Sequence, residues 1–140
     1  MKNWKRNDGG FTLVELLVVL GIIALLMALV APQVIRYLSD AKSDTAVAQL
    51  KNIESALELY YLDTGEYPTN EAGTRSLVEQ PPNAKGWRGP YLKREQGLLD
   101  PWGKEYVYRL PGEHGAYDLY SLGRDEALGG DGENQDVVNW

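Results

Sequence analysis

Between Phe11 and Ala31 the chain carries a single charge, Glu15, and one further polar side chain, Thr12. A helical run of about 20 apolar residues matches the roughly 30 Å hydrocarbon core of a bilayer, so this segment predicts one membrane crossing. Lys2, Lys5 and Arg6 against Asp8 give the preceding residues a net charge of +2, which holds them on the cytoplasmic side and sends the rest of the chain across. A cleavable secretory signal has a shorter apolar region of about 7 to 15 residues and ends in a small-x-small site. Here the run is longer, and cutting after Ala31 would leave Leu29 at the minus-three position with Pro32 just beyond the cut.

Glu15 is the anomaly, because an acidic group at the centre of a membrane helix costs about 2.5 to 3.5 kcal/mol on insertion scales. One reading has Glu15, a turn from the cytoplasmic boundary, reaching for the headgroups. A second starts from its spacing to Phe11: residues i and i+4 share a helix face. If the chain were cut before Phe11, the new α-amino group would be able to pair with Glu15 of a neighbouring copy. Each charge would then be neutralised only when subunits stack in register.

The stretch GGFTLVELLVVLGIIALLMALVAP resembles the class III signal of type IV prepilins and pseudopilins. That resemblance implies a dedicated aspartic peptidase that cuts after Gly10 and methylates Phe11 as the new N-terminus. It makes Glu15 the assembly glutamate and Pro32 the helix-kinking proline. The implied division is a cytoplasmic leader over residues 1–10, a transmembrane and assembly helix over 11–32, and a periplasmic head over 33–140.

Composition bounds the head. The whole chain of 140 residues carries a net charge of -6; with +2 in the leader and -1 at Glu15, the residues after Ala31 carry -7. An acidic head argues against nucleic acid or anionic lipid as its main ligand. With no cysteine, neither a disulfide nor thiolate chemistry is available to an exported domain. Ala46, Leu50, Ile53, Leu57, Tyr60 and Tyr61 recur at three-to-four-residue spacing among polar residues, predicting that the helix continues to about Asp63 and stops at Thr64-Gly65. Pro32 interrupts this rod by removing an N–H from the bond to the Ala28 carbonyl, either as a kink or as a marker of the bilayer exit. Gly21 is a second weak point, consistent with local unwinding in a packed filament. Ala24, Ala28 and Ala31 would allow close helix approach or serve as membrane filler.

Beyond the rod, Gly65 to Thr69 breaks the helix, and Glu71 to Gln80 is expected as a short helix ended by Pro81-Pro82. Asp100-Pro101-Trp102-Gly103 has the residues of a turn. Two strands are expected, Glu105 to Leu110 and Tyr117 to Leu122, joined as a hairpin by Pro111 to Gly115. The fold class is therefore α+β, a long N-terminal helix packed on a small antiparallel sheet. The lone His114 falls in the hairpin turn, where a surface histidine is the expectation.

From Gly123 to Asp136, carboxylates and amides are interspersed with glycines. Such a segment suits either a solvated loop or Ca²⁺, which takes six to eight oxygens, although the D-x-[DN]-x-[DN]-G pattern is absent. Here a second resemblance enters. ESALELYYLDTGEYPT, DPWGKEY, YDLYSLGRD and the final ENQDVVNW are similar to the major pseudopilin family of type II secretion. The resemblance implies a C-terminal Ca²⁺ loop with ligands at Asp125, Asp136 and the Leu122 backbone carbonyl. Asn134 stands where an aspartate is frequent, keeping an oxygen without the charge, and Ala127 is the choice for a further carbonyl.

The same resemblance implies the main structural subunit of a periplasmic pseudopilus, held in the bacterial inner membrane by a single span until assembly. It would polymerise with copies of itself and with minor pseudopilins after processing by a prepilin peptidase and methyltransferase. An ATP-driven inner-membrane platform would extract it, and filament growth would push folded proteins through an outer-membrane secretin. No Ser/His/Asp or Cys/His arrangement and no phosphate loop stands out, so an enzyme is not expected. A type IV pilin would share the N-terminus but usually closes its C-terminal loop with a disulfide. Prominent tip pseudopilins are larger or lack the glutamate. A rival of another class is a periplasmic binding domain or enzyme whose anchor is incidental.

Overall fold

The computed structural model describes residues 10–140. The expected leader, except Gly10, lies outside the described residues together with Lys2, Lys5, Arg6 and Asp8. One helix, α1 (Leu13–Thr64), is followed by short 3₁₀ turns at Gly73–Leu77 and Glu95–Leu98 and by three strands. These are β1 (Val107–Arg109), β2 (Asp118–Ser121) and β3 (Val137–Val138), in sheet order β1-β2-β3 with both pairings antiparallel. The chain divides into two compact units, with the boundary between Tyr37 and Leu38.

In the first unit, α1 runs without a break through Gly21 and Pro32. Every residue from Gly10 to Tyr37 is exposed, although most are apolar. The helix is long and apolar enough to cross a membrane.

The second unit, Leu38–Trp140, is built on the distal part of α1. Ala46, Leu50, Ile53, Ala56, Leu57 and Tyr60 are buried, following the three-to-four-residue spacing of one helix face. Tyr61, expected on that face, is instead 43% exposed and stacks on Tyr67 with ring centroids 4.7 Å apart. One residue past Tyr60 the side chain swings to the helix flank, where a neighbouring ring covers part of it. Gly65, at φ +85°, then ends the helix, its N–H donating to the Tyr61 carbonyl at 2.8 Å.

Leu77, Tyr106, Tyr117, Leu119 and Val137 complete the core against this face. The Tyr106 hydroxyl donates to the Ala46 carbonyl at 2.9 Å, tying the start of the β1 hairpin to α1. Burial raises its pKa well above the ordinary phenol range. At the helix end, the Asp63 carboxylate receives the Arg88 guanidinium and the Tyr91 hydroxyl, which fastens the irregular segment before the sheet. Arg88 holds the Asp63 carboxyl below its ordinary value.

The sheet register pairs Tyr108 with Leu119 and Tyr120 with Val138. Tyr117, Leu119 and Ser121 alternate inward, as the period-two pattern predicts. Asp118 breaks that alternation and is buried because it folds back onto the hairpin turn. Its carboxylate accepts the N–H groups of Glu113 and His114 and contacts the His114 ring at 3.2 Å. The expected helix over 71–80 shortens to a 3₁₀ turn, and the two-residue β3 has too little sequence to show a period.

Candidate functional site

Two places combine polar chemistry with the features singled out from the sequence: the start of α1 and the loop after β2. At the first, α1 begins at Leu13, so Thr12 is its N-cap and Glu15 its third helical residue. The Glu15 N–H donates to Thr12 Oγ1 at 3.2 Å, while the Thr12 N–H and hydroxyl both donate to Glu15 Oε2, at 2.9 and 3.0 Å. This is a reciprocal capping box, in which the glutamate satisfies the donors left over at a helix start.

Phe11 precedes the helix, so the shared helix face expected for Phe11 and Glu15 is absent in this conformation. Thr12 stops the helix two residues short of Phe11. The hydrogen-bond partner of Glu15 missed from sequence is thus Thr12, and its signal is present as the T-x-x-E spacing of Thr12-Leu13-Val14-Glu15. The box involves only residues 12 to 15 and is compatible with a chain that begins at Phe11. Its bonds to the carboxylate converge on Oε2, and among the described residues no group donates to Oε1. Gly10, Phe11 and Pro32 are all exposed.

The second place runs from Ser121 to Val137. Gly123 sits at φ +67°, and a Cβ there would come within 2.6 Å of the Glu133 carbonyl oxygen, so only glycine lets the two arms of the loop close. The Arg124 N–H donates to the same carbonyl at 2.8 Å. Further round, the Asp136 Oδ2 accepts the Gly129 N–H at 2.9 Å, and Asp125 Oδ1 accepts the Ala127 N–H at 3.2 Å. Glu126 between them has φ +57° and pairs with Lys104, Nζ to Oε1 at 2.6 Å. That carboxylate raises the Lys104 pKa.

Two oxygens are conspicuous. Asn134 Oδ1 and Asp136 Oδ1 are buried with no hydrogen-bond partner, and both residues belong to the expected ligand set. A buried acceptor left unpaired costs about 1 to 3 kcal/mol, so such atoms call for a partner such as ordered water or a cation. Both are hard oxygen donors of the kind Ca²⁺ takes, and the donor set therefore fits the cation. Asp125 is exposed, Leu122 half-buried and Ala127 exposed. Among the described residues no three His, Cys, Asp or Glu side chains gather into a metal cluster. Trp102 Nε1 is also buried without a partner, but it is a donor and cannot serve a cation.

Elsewhere, His114 is partly exposed and its ring stacks on that of Trp140 at 3.9 Å. A cavity of about 490 Å³ lies between the Tyr60–Tyr67 region and Pro81-Pro82.

Comparison with known proteins covers both places. Residues 33–140 match the family described as type II secretion system (T2SS), protein G, and residues 5–31 match the prokaryotic N-terminal methylation motif. The type II secretion system core protein G of Pseudomonas aeruginosa is 42% identical over 140 residues, covering 97% of each chain. That of Escherichia coli K12 is 44% identical, covering 94% of this chain and 90% of the relative. The crystal structure of the major pseudopilin from the type 2 secretion system of enterohaemorrhagic Escherichia coli aligns with a TM-score of 0.60 at 34% identity, over 71% of this chain and 87% of that one.

Proposed function

The chain belongs to the protein G family of the type II secretion system, the major pseudopilins, and from that premise we propose how its parts serve a pseudopilus. The observation that carries this reading is the start of α1, where residues 10–38 are exposed despite a largely apolar composition. A surface of that size is stable only in lipid or against other copies, and this segment uses both in turn.

Before assembly it spans the inner membrane with the head in the periplasm. A prepilin peptidase removes the leader after Gly10, and the Phe11 amine is methylated. Glu15 remains capped by Thr12 through Oε2, which leaves Oε1 for the Phe11 amine of an adjoining subunit. The pairing neutralises two charges that are costly in an apolar setting, and it fixes the axial register of the stack. The inner-membrane platform draws subunits out, minor pseudopilins join the same filament, and its growth moves folded proteins toward the secretin. Pro32, lacking an N–H, is where α1 yields most easily during that extraction.

Asp125, Asn134 and Asp136, with the Leu122 and Ala127 carbonyls, would hold Ca²⁺ in the C-terminal loop. The cation supplies charge to the two unpaired oxygens and closes a loop that has no disulfide. Relatives are structural pseudopilins, and the chain's role is mechanical rather than catalytic.

Co-expression with a prepilin peptidase and the secretion machinery tests the proposal. It expects N-terminal sequencing to begin at methylated Phe11 and surface fibres to contain the chain. A processed, membrane-inserted chain that never enters a fibre would contradict it.

A further inference from the structure

We propose that Asp100 is a positioning residue for the C-terminal cation loop, acting through the Ser121 hydroxyl on the peptide that carries the Leu122 carbonyl. The proposal rests on the calcium reading of that loop and assigns work to residues outside its ligand set.

Asp100 is buried, with 5% of its surface exposed, and its carboxylate faces two ways. Oδ1 accepts the N–H groups of Trp102 and Lys104 at 3.0 and 2.9 Å, which shapes the turn that follows. An asparagine would serve that purpose equally well. Oδ2 instead receives the Ser121 hydroxyl at 2.6 Å, at the end of β2.

The direction of this bond is fixed by chemistry. Asp100 Oδ2 accepts, so Ser121 spends its one hydroxyl proton on that bond. That turns a lone pair of Ser121 Oγ toward the Gly123 N–H, which donates to it at 3.2 Å. The Gly123 N–H and the Leu122 carbonyl belong to one planar peptide unit and point in opposite directions when it is trans. Holding the N–H on Ser121 therefore aims the Leu122 carbonyl the other way.

The same glycine is wedged against the Glu133 carbonyl and the backbone of Asn134, so the relay also sets the spacing between the two arms of the loop. Lys104, at the far end of the Asp100 turn, adds a second tether through Glu126, between Asp125 and Ala127. The turn thus grips the loop on both sides of Asp125 without supplying a ligand. Partners that orient metal ligands in this way are commonly worth 10- to 100-fold in affinity.

Thermal unfolding of the full chain in detergent, over a series of buffered free Ca²⁺ concentrations, separates positioning from mere support. Wild type, Asp100→Asn and Ser121→Ala are compared for the metal-free midpoint and for the apparent calcium affinity. Both variants are expected to lose about 10- to 100-fold in affinity. Combining them should cost little more than either alone, because one relay is broken either way. Ser121→Ala carries the test if Asp100→Asn fails to fold. Variants that lower the metal-free midpoint yet keep wild-type affinity overturn the proposal while leaving the calcium reading intact. A wild-type chain indifferent to calcium overturns both.

Discussion

On the proposed calcium reading of the C-terminal loop, chelation should lower the stability of the head by an amount that two buried oxygens set. Asn134 Oδ1 and Asp136 Oδ1 are buried and unpaired. At about 1 to 3 kcal/mol for each unsatisfied acceptor, a cation that engages both would relieve about 2 to 6 kcal/mol. Linkage gives a consistent figure: calcium at 100 times its dissociation constant stabilises by about 2.7 kcal/mol. For a domain near a hundred residues, 1 kcal/mol moves the melting midpoint by about 4 to 8 °C, so losing about 2.7 kcal/mol of linkage should lower it by roughly 10 to 20 °C. The assay is circular dichroism melting of the detergent-solubilised chain with excess Ca²⁺ or excess EGTA.

Asn134→Ala sharpens the test, because it removes one unpaired oxygen and one proposed ligand together. The metal-free variant should melt no lower than the metal-free wild type, while its calcium response shrinks. Asn134→Asp should act the other way and tighten calcium binding by adding a charge to the donor set. Midpoints that agree within about 1 °C with and without the chelator would refute the reasoning, since a ligand that binds only the native state must raise it.

Other consequences follow from the core, the hairpin and the helix start. Leu119 is fully buried in β2 against α1, and Leu119→Ala should cost about 2 to 5 kcal/mol, read as a drop in the head's unfolding midpoint. Burial alone would push the Asp118 carboxyl up, but the Glu113 and His114 N–H groups and the His114 ring hold it below its ordinary value. Its contribution to stability is therefore present above the unfolded value near pH 4, on the order of 3.9, and is lost as the pH falls through the lower folded value. Acid unfolding followed by circular dichroism should show a shallower limb in Asp118→Asn than in wild type, and identical limbs would count against it. Thr12→Ala should remove about 1 kcal/mol of capping. That should show as roughly fivefold faster hydrogen exchange at the Glu15 amide, whose N–H the Thr12 hydroxyl accepts, with Thr12→Ser near wild type.

The long elements were legible because their patterns repeat. The apolar run and the three-to-four-residue spacing of Ala46 to Tyr60 specify α1, and Thr64-Gly65 specify its end. β1 and β2 were visible from alternation, with ends one or two residues too generous, because only the paired residues between the turns form the ladder. What stayed hidden depends on contacts between distant residues. Two residues cannot announce β3, and Asp118 reads as a solvent-facing strand residue until the turn before it folds back. The Asp100–Ser121 bond joins residues 21 apart in sequence, and nothing local signals it. Thr12 is the instructive miss. Its spacing to Glu15 is a helix-start signature, but it lies inside an apolar run whose pattern alone would extend the helix to Phe11.

In the proposed assembly, α1 stores an interface in which Glu15 meets the processed N-terminus of another copy. The most direct measurement is fibre formation by Glu15→Val subunits, alone and mixed with an epitope-distinguished wild-type chain, in cells that carry the peptidase and secretion machinery. The variant should be processed before Phe11 yet form no fibres alone, and it should be incorporated when wild-type subunits supply the missing pairs. Abundant fibres from the variant alone would contradict that pairing.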